Sequence, residues 1–252
     1  MRAAFSWLSA ALLLLLPASS PAAEALVAVA SNFSEPMREI ARQFEARSGH
    51  KVRLAYGSTG KLYAQIRNGA PFDVLLAADV VTPQLLLRQQ QAVAGSDFIY
   101  ARGSLMLWSP EPGRVDAAGQ VLAQGRFHHL AIASPATAPY GAAAIEVLDA
   151  LELAHIKSRL VQGENINQAY QFVASGNAEL GLVARAQVWY DGALRSGSAW
   201  AVPEALHRPL QQQAVLLEHG RDNPAAKALL AYLRENATRA LIQRYGYHLE
   251  PL

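Results

Sequence analysis

Apolar positions along this chain recur with two periods, and each change of period marks an element. Residues 25–30, ALVAVA, make a continuous apolar run bounded by polar residues and predict a buried strand. Phe33, Met37, Ile40, Ala41 and Phe44 then share one face at helical spacing. Asn32 and Glu35 stand in capping-box relation at its start, and Gly49 is its stop. Residues 51–56 predict a second strand, 59–68 a helix closed by Gly69, and 73–77 a third strand. The order βαβαβ predicts a parallel sheet with helices on its faces.

The pattern weakens over residues 79–125, where 83–91 reads as a short helix and 98–100 and 104–109 as strands. It sharpens again at 130–133, a strand. Pro139-Tyr140-Gly141 leads into an alanine-rich helix to about residue 151, and 160–161 is a short strand. Asn165, with Gln168 in the capping-box position, opens a helix to Ala174. Gly176 and Asn177 turn the chain into a strand at 179–184, which completes a second βαβαβ block. Stretches 200–203 and 212–218 follow. Asn223-Pro224 then starts the first of two closing amphipathic helices, 224–235 and 237–245. Two such blocks predict an α/β protein of two Rossmann-like lobes with a hinge and a central cleft. The expected division is 24–100 with 217–252 for one lobe and 101–216 for the other, with crossings near Tyr100 and Leu217.

Four strand-to-helix junctions concentrate the candidate chemistry: Ser31-Asn32, Ser58-Thr59, Pro139-Tyr140-Gly141 and Asn165-Ile166, two in each block. In open α/β sheets ligands bind at the carboxyl ends of the strands, and the first N–H groups of a helix have no intrahelical partner. Together these junctions offer an anion the hydroxyls of Ser31 and Ser58 and the phenol of Tyr140. They add the backbone N–H groups of Asn32, Ser58, Tyr140 and Ile166. None of these groups is charged. Their hydrogen bonds to an anion are charge-assisted and worth roughly 1.5–3 kcal/mol each. A hydroxyl in this place also serves as a plain helix cap, and the residues alone leave both readings open. The stretch GSTGK, residues 57–61, is not a nucleotide loop. A Walker motif ending there requires glycine at Ala55 and a hydroxyl at Leu62.

Composition places this fold in a compartment. Arg2, the apolar run 8–16 and Ser20-Pro21-Ala22 make a secretion leader, with cleavage expected after Ala22 or Ala23. Residues 1–23 are therefore set apart from the fold. The chain has no cysteine, so it leans on a core and not on disulfides, and none is available for a lipid anchor. Without Arg2 the formal charge falls from +2 to about +1, which supplies no field for nucleic acid.

Several segments, in order, resemble the periplasmic molybdate-binding proteins of molybdate ABC importers. They are ASNFSEPMREIARQFE, YGSTGKLYAQIRNGAPFDVLLAAD, APYG, ENINQAYQFVASGNAELGLVA, NPAAKALLAYL and RYGY. The resemblance covers essentially the whole chain after the leader. It implies a type II periplasmic binding protein fold and a periplasmic, non-enzymatic solute-binding protein without cofactor. The implied cargo is molybdate or tungstate, delivered to an inner-membrane ABC permease, and a monomer is expected. It implies oxyanion binding through neutral hydroxyl and backbone donors at Ser31, Asn32, Ser58, Tyr140 and Ile166, with no direct metal-ion ligand. One departure stands out. Some members of the family carry a tyrosine on the strand after the fourth helix, where this chain has Ala184, whereas others use the tyrosine of an APYG segment, here Tyr140.

Other readings are thinner. His128 and His129 are adjacent, so on a strand they point to opposite faces, and a surface pair is expected there. Trp189-Tyr190-Asp191 offers a poor shell for ferric iron. Lys61 is expected in solvent, and Asp79 as a turn or cleft brace. The same fold with another cargo, ferric iron or another oxyanion, is the alternative. A secreted serine hydrolase is a weaker one, because no G-x-S-x-G elbow occurs.

Overall fold

The structure, a computed structural model, describes residues 22–249. The expected leader falls, through residue 21, outside the described residues. In chain order the elements are β1 (Glu24–Ala30), α1 (Ser34–Ser48), β2 (Lys51–Gly57), α2 (Thr59–Arg67), β3 (Val74–Leu76), α3 (Val81–Arg88), β4 (Phe98–Gly103) and β5 (Leu105–Ser109). Next come α4 (Gln120–Gln124), β6 (Leu130–Ala133), α5 (Pro139–Ala150), β7 (Leu160–Gly163), α6 (Ile166–Ala174), β8 (Leu180–Ala184) and α7 (Arg185–Val188). The chain ends with β9 (Trp189–Tyr190), β10 (Ala193–Leu194), β11 (Ser198–Ala201), β12 (Leu210–Leu216), α8 (Pro224–Leu233) and α9 (Asn236–Arg244).

Two five-stranded sheets result, ordered β2-β1-β3-β12-β4 and β11-β5-β8-β6-β7, while β9 and β10 form a small hairpin. In the first sheet β1 pairs in parallel with β2 and β3, and β12 runs antiparallel between β3 and β4. In the second, β6 is parallel to β7 and β8, and β5 and β11 are antiparallel. The chain passes from the first sheet to the second between Gly103 and Leu105. It returns between Ala201 and Leu210, before β12 and not near Leu217, because β12 belongs to the first sheet.

The first sheet is covered on both faces, and the period-2 alternation of its strands shows it. Val74 and Leu76 pack with Phe33, Met37 and Leu229 under α1 and α8. Leu75, between them, packs with Leu62 and Leu86 under α2 and α3. All three residues of β3 are fully buried, and each contributes roughly 1.5–3 kcal/mol relative to exposure. The second sheet has one continuous core that also takes in Ala30 and Ala78 of the first lobe. The lobes are thus in contact at the carboxyl ends of β1 and β3.

Two local devices hold the second lobe in shape. Gly141, in the first turn of α5, allows that helix to press on the end of β6. A Cβ there would overlap the Ala133 carbonyl oxygen and lie 2.7 Å from that of Ser134. Glu179, just before β8, accepts N–H bonds from His128 (3.1 Å) and His129 (2.9 Å), with His128 Nδ1 at 3.0 Å. It therefore pins the entry of β6 to the entry of β8. The histidine pair is structural at its backbone and exposed at the His128 ring. Among the described residues, no group of His, Cys, Asp and Glu is placed to hold a metal ion.

Each device makes a prediction. Gly141→Ala is expected to cost about 1–3 kcal/mol through overpacking against backbone, at roughly 2–4 °C of Tm per kcal/mol for a chain of this size. Thermal denaturation followed by circular dichroism reads it directly. Burial alone would raise the Glu179 carboxyl, but the His129 and His128 hydrogen bonds outweigh it and bring the pKa down to about 2. A carboxyl lowered on folding adds stability above its unfolded pKa and loses it as pH falls through the folded one. Glu179→Gln should therefore melt below wild type at pH 6. The gap should close between about pH 4.5 and pH 2, as seen in Tm measured against pH.

Candidate functional site

Four junctions meet around one small cavity between the lobes. Its walls come from the end of β1 (Ala30, Ser31, Asn32), the β2–α2 junction (Gly57, Ser58, Thr59) and Ala78 after β3. Across the cleft they come from the start of α5 (Ala138, Pro139, Tyr140) and the start of α6 (Asn165, Ile166). About 10 Å³ is open to the centre of a water-sized sphere. That is on the scale of one water, far below the roughly 300–1,000 Å³ of a pocket for an organic ligand. None of these wall residues carries a charge.

All five sequence-predicted site residues, Ser31, Asn32, Ser58, Tyr140 and Ile166, lie in this wall. Ser31 and Ser58 are 4 % and 3 % exposed, and neither Oγ has a hydrogen-bond partner. Ser58 occupies the N-cap position of α2 with extended backbone, yet its side chain makes no cap bond. The cap reading therefore does not describe its hydroxyl. The neighbouring Thr59 hydroxyl, by contrast, accepts the Ala78 N–H at 3.0 Å.

Asn32 requires a correction. It does not cap α1. Residues Ser31–Phe33 form a turn of 3-10 helix, α1 begins at Ser34, and no side chain caps it. Glu35 pairs instead with Arg38. Phe33 is fully buried between the rings of Tyr100 and Tyr247, and seating it draws the Asn32 side chain inward. Both protons of the Asn32 amide are engaged, one to Gln212 Oε1 (2.8 Å) and one to Tyr247 Oη (3.0 Å). What remains for the cavity is its backbone N–H.

Tyr140 is fixed in a similar way. Its hydroxyl accepts from Gln212 Nε2 at 3.1 Å. Burial holds the phenols of Tyr140, Tyr100 and Tyr247 well above their ordinary range, so all three stay neutral. The Tyr140 ring points into this buried web, and its N–H, in the first turn of α5, has no intrahelical acceptor. At α6 the Asn165 side chain accepts from the N–H groups of Asn167 (3.0 Å) and Gln168 (3.2 Å). The cap leaves the N–H of Ile166, the first helical residue, unclaimed.

Three polar contacts cross the cleft beside the cavity. Gly60 N–H donates to the Thr137 carbonyl at 2.9 Å. Asn167 Nδ2 donates to Ser34 Oγ at 3.0 Å. Lys61 pairs with Glu164, so Lys61 spans the cleft and does not simply extend into solvent. The sequence reading missed Gln212, Asn167 and the paired role of Lys61. Of the web, Asn32 and Tyr140 were candidate residues and Tyr247 stood in the quoted segment RYGY, whereas Gln212 stood in none. Asp79 accepts from Thr82 N–H at 2.8 Å and so caps the turn into α3.

Residues 25–248 match the family described as bacterial extracellular solute-binding protein. The molybdate-binding protein ModA of Azotobacter vinelandii is 54% identical over 237 residues, 94% of either chain. That of Rhodobacter capsulatus is 45% identical over 251 residues, 99% of this chain and 97% of that one. Among solved structures, the periplasmic molybdate-binding protein of A. vinelandii superposes with a TM-score of 0.87 at 38% identity, covering 90% of this chain and 100% of that one. The family match runs from the first strand to beyond the last helix, and these relatives align over nearly their whole length; the chain belongs to the bacterial extracellular solute-binding proteins.

Proposed function

We propose that this chain is a periplasmic binding protein that captures molybdate, and tungstate with it, and hands it to an ABC importer. The observation that carries the reading is the pair of buried serine hydroxyls, Ser31 and Ser58, that face one small uncharged cavity without a partner. A buried polar group left unpaired costs about 1–3 kcal/mol, and a guest that accepts from both removes that cost. The expected donors are these two hydroxyls and the N–H groups of Asn32, Ser58, Tyr140 and Ile166. All are donors and none is charged, which suits an oxyanion with acceptor oxygens on every side. Relatives that are molybdate-binding proteins by name, at 54% and 45% identity, support the choice of guest.

Size supplies the selectivity. Molybdate and sulfate are both tetrahedral dianions, and molybdate is the larger. Donors spaced for molybdate leave sulfate with stretched hydrogen bonds. Tungstate, almost the same size as molybdate, passes the same test. A ferric site would need several anionic ligands, whereas this wall holds no carboxylate and a single phenol, Tyr140, whose hydroxyl is bonded to Gln212. A hydrolase would need a base beside its serine, and neither hydroxyl has one. Closure would pivot on the two crossings between the sheets, with each sheet and its helices moving as a lobe. The leader-like residues 1–23 fit export to the periplasm.

Two predictions test the reading. Calorimetric titration should show molybdate and tungstate binding far more tightly than sulfate or phosphate. Molybdate at one hundred times its Kd should add about 2.7 kcal/mol, a Tm rise of roughly 5–10 °C. Equal response to sulfate would count against it. Ser31→Ala and Ser58→Ala should each leave the ligand-free protein as stable as wild type or slightly more so, because each removes an unpaired polar atom. Each should weaken molybdate binding by about tenfold or more. Loss of ligand-free stability without loss of affinity would mark the serines as structural.

A further inference from the structure

The cavity is backed by an uncharged web whose hub lies on β12, just past the return crossing. Gln212 is fully buried on β12. Its Oε1 accepts from Asn32 Nδ2 (2.8 Å) and from the Tyr100 hydroxyl (2.9 Å), and its Nε2 donates to the Tyr140 hydroxyl (3.1 Å). Asn32 and Tyr100 belong to the first lobe, and Tyr140 to the second. One amide thus joins the two halves of the cavity wall.

The backbone is shaped to put it there. Between β12 and β4 the register shifts at Gln212/Gln213. Gln212 faces Ala101 and Gln213 faces Ile99, so Tyr100 is an extra residue on β4. Such a bulge re-aims a side chain, and here it turns the Tyr100 hydroxyl onto Gln212 and the Ala77 carbonyl (3.1 Å). At the outgoing crossing, a Cβ on Gly103 would overlap the Tyr140 hydroxyl and lie 2.6 Å from Gln212 Nε2. Both crossings therefore converge on the contact between Gln212 and Tyr140.

We infer that Gln212 is the positioning residue of the site: it touches no guest, but by tying Tyr140 to Asn32 it sets the spacing between the donors of the two lobes, and with it the size of anion accepted. The inference rests on the proposed reading of the cavity as an oxyanion site. An amide suits the role because it accepts from two groups and donates to a third without a charge. A carboxylate in its place would set a negative charge directly behind an anion.

The test compares wild type, Gln212→Met, Gly103→Ala and Gln213→Met by calorimetric titration with molybdate, and by the sulfate concentration that displaces it. Gln212→Met keeps the side-chain length and removes the hub. Gly103→Ala removes no polar group but drives a methyl between Gln212 and Tyr140. Gln213, the next residue on β12, donates to Asp97, just before β4, at 2.9 Å and controls for loss of stability alone. Gln212→Met and Gly103→Ala should each weaken molybdate binding by about tenfold and narrow its margin over sulfate. Gln213→Met should leave that margin unchanged. If Gln212→Met does not fold, as judged by circular dichroism, Gly103→Ala carries the comparison. Wild-type margins in both variants, with molybdate still bound by wild type, would overturn the positioning role and leave the oxyanion reading standing. A wild type that binds neither anion would overturn both.

Discussion

The constraint on which this cleft depends is a wall without a charged side chain. A buried arginine or lysine facing the cavity would have to be dry whether or not a guest is present, and an isolated buried ion costs several kcal/mol. Here the wall is made of hydroxyls, helix N-termini and alanine. The arrangement leaves the buried hydroxyls of Ser31 and Ser58 without a partner in the protein. Under the proposed function, an anion between the lobes would accept from both hydroxyls and favour closure around it. The contacts of Gly60 with Thr137, Asn167 with Ser34 and Lys61 with Glu164 hold the two lobes together beside the cavity. Lys61 and Glu164 are about half exposed, so their pair adds little by itself.

Donors of this kind are useful only when their positions are fixed, since each hydrogen bond weakens as its geometry slips. The fold fixes them from behind. Gly141 brings α5 onto the end of β6, Asn165 caps α6, and Gln212 joins Tyr140 to Asn32. The buried phenols remain protonated because burial raises their pKa values. The web therefore keeps one protonation state across the ordinary pH range. A buried polar network is costly when incomplete and rigid when satisfied, and this one lies where the lobes meet.

Much of this was legible in the residues. Both βαβαβ blocks announced themselves through short apolar runs alternating with amphipathic stretches. The four junctions followed from those, since strand ends and helix starts were placed to within a few residues. Asn32 was misread because a capping-box spacing looks the same whether α1 starts at Phe33 or, after a 3-10 turn, at Ser34. The sheet membership of β12 was not legible either: alternation marks a strand but does not say which neighbour it pairs with. Gln212 sits in the run QQQ, residues 211–213, with nothing local to distinguish it. Its partner is set by a bulge at Tyr100, more than a hundred residues earlier in the chain. The short elements α4, α7, β9 and β10 are too brief for periodicity to register.

The strand order of the first sheet has a consequence for how the molecule is made. All five strands of the second sheet are synthesised between residues 105 and 201, so that sheet is available as soon as its own segment has emerged. The first sheet has to wait. β12 lies between β3 and β4, and Tyr247, which braces Asn32, comes later still. A nascent chain therefore holds β1 to β4 in hand through the birth of an entire second lobe, and only a full-length product acquires a finished cleft.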